Sequence, residues 1–217
     1  MELNDILMRS AELDERLHRF CVGDDTNTPD KARGAVTLCR MVFEHAESFK
    51  ILAARGNFTS AIALVRLQYE SLVRAFWILY VATDAHTTKL MSNLTEESAK
   101  AGSKIPMVSA MLSSLEDKAP KEAVEMLLEI KEYSLPPLNS FVHAGIHAID
   151  RNRNGYPLDL LIQVVKTSNG ISTMAAMLLV MLSNNPPHKG KLPAIQREFA
   201  DCLPSPKDQA GPKGANV

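Results

Sequence analysis

Arg66, Glu70 and Arg74 follow one another at intervals of four residues, with Trp77 three positions further on. On an α-helix that spacing puts the three charges on one narrow stripe. A guanidinium is a planar fork that grips two oxygens of a phosphate or carboxylate at once, and a carboxylate set between two of them can hold both in place. The same spacing also makes Arg66–Glu70 and Glu70–Arg74 ordinary surface ion pairs, each worth a few tenths of a kcal/mol. The stripe therefore reads either as a solvated helix face or as the lining of a cleft.

A second group lies later in the chain. Asn139, His143 and His147 also recur every four residues, with Asp150, Arg151 and Arg153 close behind. If one helix carries them, the first three share a face. Three readings of His143 are open. It packs as a satisfied core histidine, with His147 exposed. It acts as a general acid or base, for which an ordinary imidazole pKa near 6.5 is well placed, beside arginines that bind phosphate. Or it joins His147 and Glu70 or Asp150 around a metal, which the spacing permits, although the paired Glu-x-x-His motifs of a di-iron bundle are missing. Arg40 and His45 form a looser Arg-x4-His spacing. There is no glycine-rich phosphate loop, nucleophile elbow or His-Glu-x-x-His zinc motif, and no metal or cofactor is expected.

The elements that must position these residues read as helices. Apolar residues recur at three and four along nearly the whole chain, and no alternating strand pattern persists. Helices are expected over about 3–20, from Pro29 to about Ala54 with Thr28 as N-cap and Gly56 as C-terminal stop, and from Thr59 to Ala82. Asp84 is expected to cap a short fourth segment. Gly102 and Pro106 break the region 88–119 into shorter, irregular pieces. Pro120 opens a helix to Lys131, Pro136 and Pro137 open another to about Ile149, and Pro157 starts the last long one, which Asn184 to Pro187 end. The helix after Thr59 is apolar almost all round, as central helices are. The fold class expected is all-α, an antiparallel helical bundle. Residues 1–190 form one domain, and residues 203–217, poor in apolar anchors, form a disordered tail.

Composition bounds the function. The chain has 217 residues, 46% hydrophobic and 23% charged, with a net charge of −1, so any nucleic-acid contact must come from a local patch rather than a whole-molecule field. The three cysteines, Cys21, Cys39 and Cys202, form no Cys-x-x-Cys pair and fit a reducing cytoplasm better than a disulfide scaffold. The N-terminus lacks a signal-peptide pattern. The longest apolar run, Met174–Leu182, falls short of a bilayer span, and Arg66, Gln68, Glu70 and Arg74 interrupt the stretch from Ala61 to Ala82, so no membrane association is expected.

Two segments together carry a family resemblance: Leu64-Val65-Arg66-Leu67-Gln68-Tyr69-Glu70-Ser71-Leu72-Val73-Arg74-Ala75-Phe76-Trp77, and Leu138-Asn139-Ser140-Phe141-Val142-His143-Ala144-Gly145. Over about residues 30–185 the chain resembles a family of uncharacterised bacterial helical proteins, which is similar to the higher eukaryotes and prokaryotes nucleotide-binding (HEPN) superfamily. That resemblance implies a HEPN-like bundle and a metal-independent ribonuclease or nucleotide-binding protein of toxin–antitoxin or phage-defence type. It implies RNA or a nucleotide as ligand, a homodimer, and an antitoxin partner. His143, Arg66, Glu70 and Arg74 would then be catalytic, and Asn139, His147, Arg151 and Trp77 would bind substrate. Leu138 and Asn139 stand where the superfamily's arginine would precede the histidine, so Arg66 or Arg74 would have to replace it in space. The readings outside the resemblance are a non-catalytic dimerising or regulatory helical module and a metal-binding bundle.

Overall fold

The computed structural model describes residues 2–20, 29–102, 105–183 and 186–205. Among them are eleven helices and no strand: α1 (Leu3–His18), α2 (Asp30–Ala54), α3 (Phe58–Tyr80), α4 (Asp84–Met91), α5 (Glu96–Gly102), α6 (Val108–Ser113), α7 (Lys121–Tyr133), α8 (Leu135–Val142), α9 (Ile146–Asn154), α10 (Leu158–Leu182) and α11 (Pro186–Glu198). The loop expected at 23–27, the Thr28 cap and the tail after Ser205 lie outside the described residues.

Proline and glycine punctuate the bundle where their backbone chemistry predicts. Pro29, Pro120 and Pro157 stand at the N-caps of α2, α7 and α10, where a missing N–H costs no intrahelical bond. Gly56, at a φ of +76°, takes the left-handed turn that lets α2 fold back on α3 as a hairpin, a conformation a Cβ would disfavour.

α3 is the central element. Ile62, Val65, Tyr69, Leu72, Val73 and Phe76 are buried, and the helix packs on α2, α6, α8 and α10. Its buried Gln68 and Tyr69 side chains are satisfied. Gln68 Nε2 donates to the Ser168 carbonyl at 3.0 Å and to Ser172 Oγ at 3.1 Å, while Ser168 Oγ donates to Gln68 Oε1 at 2.8 Å. The Tyr69 hydroxyl donates to the Leu127 carbonyl at 2.9 Å. These bonds set the register of α3 against α10 and α7 with no exposed polar atom. α10 is long and apolar enough to cross a membrane by composition, yet 67% of its most apolar window is buried inside the bundle.

Two features depart from the sequence reading. The long helix from Pro157 ends at Leu182, as expected, but it is not the last helix. A further helix, α11, begins at Pro186, since proline suits a helix start as well as a helix stop. The domain boundary expected at residue 190 falls within it, and Leu192, Ile195, Phe199 and Cys202 are buried beyond that point. Arg9 of α1 clasps this segment, donating to the Glu198 carbonyl at 2.6 Å and lying 3.9 Å over the Phe199 ring. The second departure is a break in the histidine-bearing helix, which shapes the candidate site.

Candidate functional site

Arg66 and Glu70 lie one turn apart on α3, on the side that faces α8, and form an ion pair. Arg66 Nε donates to Asn139 Oδ1 of α8 at 2.6 Å. The Arg66 side chain is 15% exposed and that of Glu70 28%, so the pair is shielded on one side and open on the other. The charged stripe and the segment before His143 therefore meet. Arg74, the third member, is half-buried and has neither a hydrogen bond nor an ion pair with any described residue. The expected Glu70–Arg74 pair does not form, because Glu70 is turned toward Arg66.

The single helix expected from Pro136 to Ile149 is two helices. α8 ends at Val142, His143 is its C-cap, and Ala144 takes a φ of +50°. The Gly145 N–H donates to the Ser140 carbonyl at 2.7 Å. A left-handed residue followed by this backward bond is the Schellman arrangement that ends helices. Ser140 then reaches across the break, its Oγ accepting the His147 N–H at 2.9 Å in the first turn of α9. A Cβ on Gly145 would stand 2.6 Å from that same Oγ, so the close approach of the two helices requires glycine there.

The break divides the residues expected to share a face. Asn139 and His143 remain one turn apart, joined by the His143 N–H to the Asn139 carbonyl at 3.1 Å, and side chains so spaced stand roughly 5–6 Å apart at Cβ. His147 belongs to α9. Both imidazoles are exposed, which excludes the reading of His143 as a packed core histidine. Arg151 faces partly outward on α9, 3.8 Å from Asp150. Trp77 does not join them. It is 2% exposed, and its ring lies 5.2 Å from that of His86 in α4, so it fills the core at the far end of α3. His45 is half-buried on α2, where burial lowers its pKa.

α9 is anchored to the start of α3 by residues that spacing did not single out. The Thr59 and Tyr156 hydroxyls are hydrogen-bonded at 2.6 Å, and Asn152 Nδ2 donates to Thr59 Oγ1 at 3.2 Å. Tyr156 also packs beside Phe58 and Phe141. No local pattern marks these residues, because their partners are some ninety positions away. Among the described residues no three His, Cys, Asp or Glu side chains converge as metal ligands. A surface depression of about 330 Å³ lies at the starts of α2 and α4, lined by Pro29, Asp30, Lys31, Asp84, Thr87 and Thr88, and shares no residue with the stripe.

Fold and geometry define an all-helical protein with a polar, solvent-accessible seam between α3 and α8. The chain belongs to a family of unknown function, DUF6988, which it matches over residues 39–205. That span includes every residue of the seam and leaves α1 and the beginning of α2 outside. No curated protein and no solved structure matches the chain, and the family match lends no support to the HEPN resemblance.

Proposed function

We propose that the seam between α3 and α8, together with the exposed start of α9, binds the phosphates of RNA or a nucleotide, and that the protein is a metal-independent ribonuclease of the HEPN-like kind. The observation that carries this reading is the Arg66–Asn139 hydrogen bond of 2.6 Å. It fixes the charged stripe one helical turn from an exposed imidazole. Arg66 engages Asn139 through Nε and Glu70 through Nη1, so it acts as a positioning residue. Arg151, on α9 with His147, is the cation available at the reacting phosphate, where it would stabilise charge that builds on phosphorus, while Arg74, two turns or about 12 Å beyond Arg66 on α3, would meet a neighbouring phosphate of a longer strand. His143 takes the proton of a ribose 2′-hydroxyl as its oxygen attacks phosphorus. The bond from phosphorus to the 5′ oxygen breaks, and that oxygen takes a proton from His147 or water. The products are a 2′,3′-cyclic phosphate and a 5′-hydroxyl.

The test is incubation of purified protein with single-stranded RNA in chelator, with end-group analysis of the products. Cyclic phosphate formed by the wild type and lost in a folded His143→Ala variant supports the reading. A wild type that neither binds nor cleaves RNA overturns it. The homodimer and the antitoxin partner belong to the same proposal. Light scattering tests the first, and co-purification with neighbouring gene products the second.

The second reading is a non-catalytic helical module. It is favoured by the engagement of Arg66 with Glu70 and Asn139, which ties α3 to α8 through protein groups alone. Under it, changes at Arg66 and Asn139 lower stability, and changes at Arg74, His143 and Arg151 have no effect on any RNA assay.

A further inference from the structure

Three contacts fix how the chain from α7 to α9 runs along α3. The Tyr69 hydroxyl meets the Leu127 carbonyl of α7, Arg66 meets Asn139 of α8, and Thr59 meets Asn152 of α9. The later a residue stands in that chain, the earlier its partner stands in α3, so α8 and α9 descend toward the start of α3. Arg151 is the chain neighbour of Asn152 and lies 3.8 Å from Asp150 of the same helix, which keeps it at the level of Thr59. Arg74 stands fifteen residues beyond Thr59, and at about 1.5 Å per residue the two levels are about 22 Å apart. Arg74 is half-buried and has no hydrogen bond or ion pair with a described residue.

Between these levels α3 carries Ala63, Leu67 and Glu70 at intervals of four and three residues, which sets them on one face with Arg74. Leu67 is 39% exposed. Glu70 is paired with Arg66 and is still 28% exposed. A phosphate set against that carboxylate is repelled, whereas a base can lie flat on the leucine beside it. The face thus offers a cation at one end, an apolar step next to an acid in the middle, and at the other end a cation on the helix that follows His143.

We infer that the ligand is a single-stranded polynucleotide held over several nucleotides, with Arg74 gripping a backbone phosphate remote from the one at His143 and Arg151. The inference rests on the reading of the seam as an RNA site, and it narrows the ligand from RNA or a nucleotide to a strand. Successive nucleotides advance roughly 3.4 Å when stacked and about twice that when drawn out, so about three to six of them cover the interval. A mononucleotide is too short to touch both arginines. A duplex keeps its bases inside and turns phosphates outward along its length, which sets a phosphate near Glu70, while a single strand can turn a base onto Leu67.

The test is binding of the full chain to uncleavable 2′-O-methyl RNA strands of one to about ten nucleotides, read by fluorescence anisotropy over a series of salt concentrations. Affinity is expected to rise with length and to level off between about three and six nucleotides. Arg74→Ala is expected to weaken binding of the longest strand about tenfold. It should also flatten the slope of log affinity against log salt by about 0.7, whereas Arg74→Lys keeps the slope. A loss of packing alone does not move that slope. Affinity already complete at one nucleotide, an unchanged slope in Arg74→Ala, or equal binding of a duplex overturns the inference. Cleavage separates it from the reading beneath it. Length-dependent binding with no cyclic phosphate from the matching unmodified RNA removes the ribonuclease and leaves the strand site, and cleavage with affinity independent of length does the opposite. A wild type that binds none of the strands removes both.

Discussion

Arg66 on α3 and Asn139 on α8, 73 residues apart in sequence, share a hydrogen bond of 2.6 Å that ties the charged stripe to the helix ending at His143. A charged donor with little solvent access loses more when its acceptor is removed than the net value of the bond, because its desolvation is left uncompensated. Asn139→Ala is therefore expected to lower stability by about 1–3 kcal/mol, read from the urea midpoint at constant slope. His143→Ala, at an exposed helix end, should stay within about 0.5 kcal/mol of wild type. A large loss from His143→Ala would assign the imidazole to the fold instead of to chemistry.

The buried pair of Asp14 and Lys50 offers a sharper contrast. Their side chains are 10% and 9% exposed, and removing either partner strands the other charge. Lys50→Ala is expected to cost about 3–5 kcal/mol, whereas replacing both by apolar residues of similar size, Asp14→Leu with Lys50→Met, should recover most of that loss. A double variant as unstable as the single one would mean that the surrounding polar atoms depend on the charges directly.

Ala144 occupies the left-handed region at a φ of +50°, where a Cβ meets the following carbonyl at a cost of roughly 1–2 kcal/mol. Ala144→Gly relieves that clash and gives back part of the gain through the freer unfolded chain. The net expected is a stabilisation of about 1 kcal/mol or slightly less, seen as a raised melting temperature. Ala144→Val should move it the opposite way. No change with glycine would show that the helix break carries no strain.

Burial pushes the Cys202 thiol up from 9.0 to about 11, with Asp201 adding to the shift. The folded state thus holds this proton more tightly than the unfolded chain does. Its contribution to stability is complete below pH 9 and is lost as the pH rises towards 11. The urea midpoint of the wild type should fall across that window more steeply than that of Cys202→Ala. At neutral pH the native thiol should resist disulfide reagents until the protein unfolds. Prompt labelling of Cys202 in native protein would contradict its burial.

Helix content, most helix starts and the central place of α3 were legible in the sequence because each depends on local spacing. Ile62, Val65, Tyr69 and Phe76 repeat with the helical period, and Pro120 and Pro157 mark starts whatever packs around them. The stripe of Arg66, Glu70 and Arg74 was legible as a stripe for the same reason. Its bonding was not. Periodicity places a side chain on a face, whereas its partner is decided by which helix the fold lays against that face. Only the tertiary structure gave Arg66 to Asn139, left Arg74 without a partner among the described residues, turned Trp77 into the core and brought Tyr156 to Thr59. It also decided the break after Val142, since the residues there would continue a helix equally well by pattern. Ending α8 with Ala144 in the left-handed region is worthwhile only because α9 can then dock on α3 through Asn152.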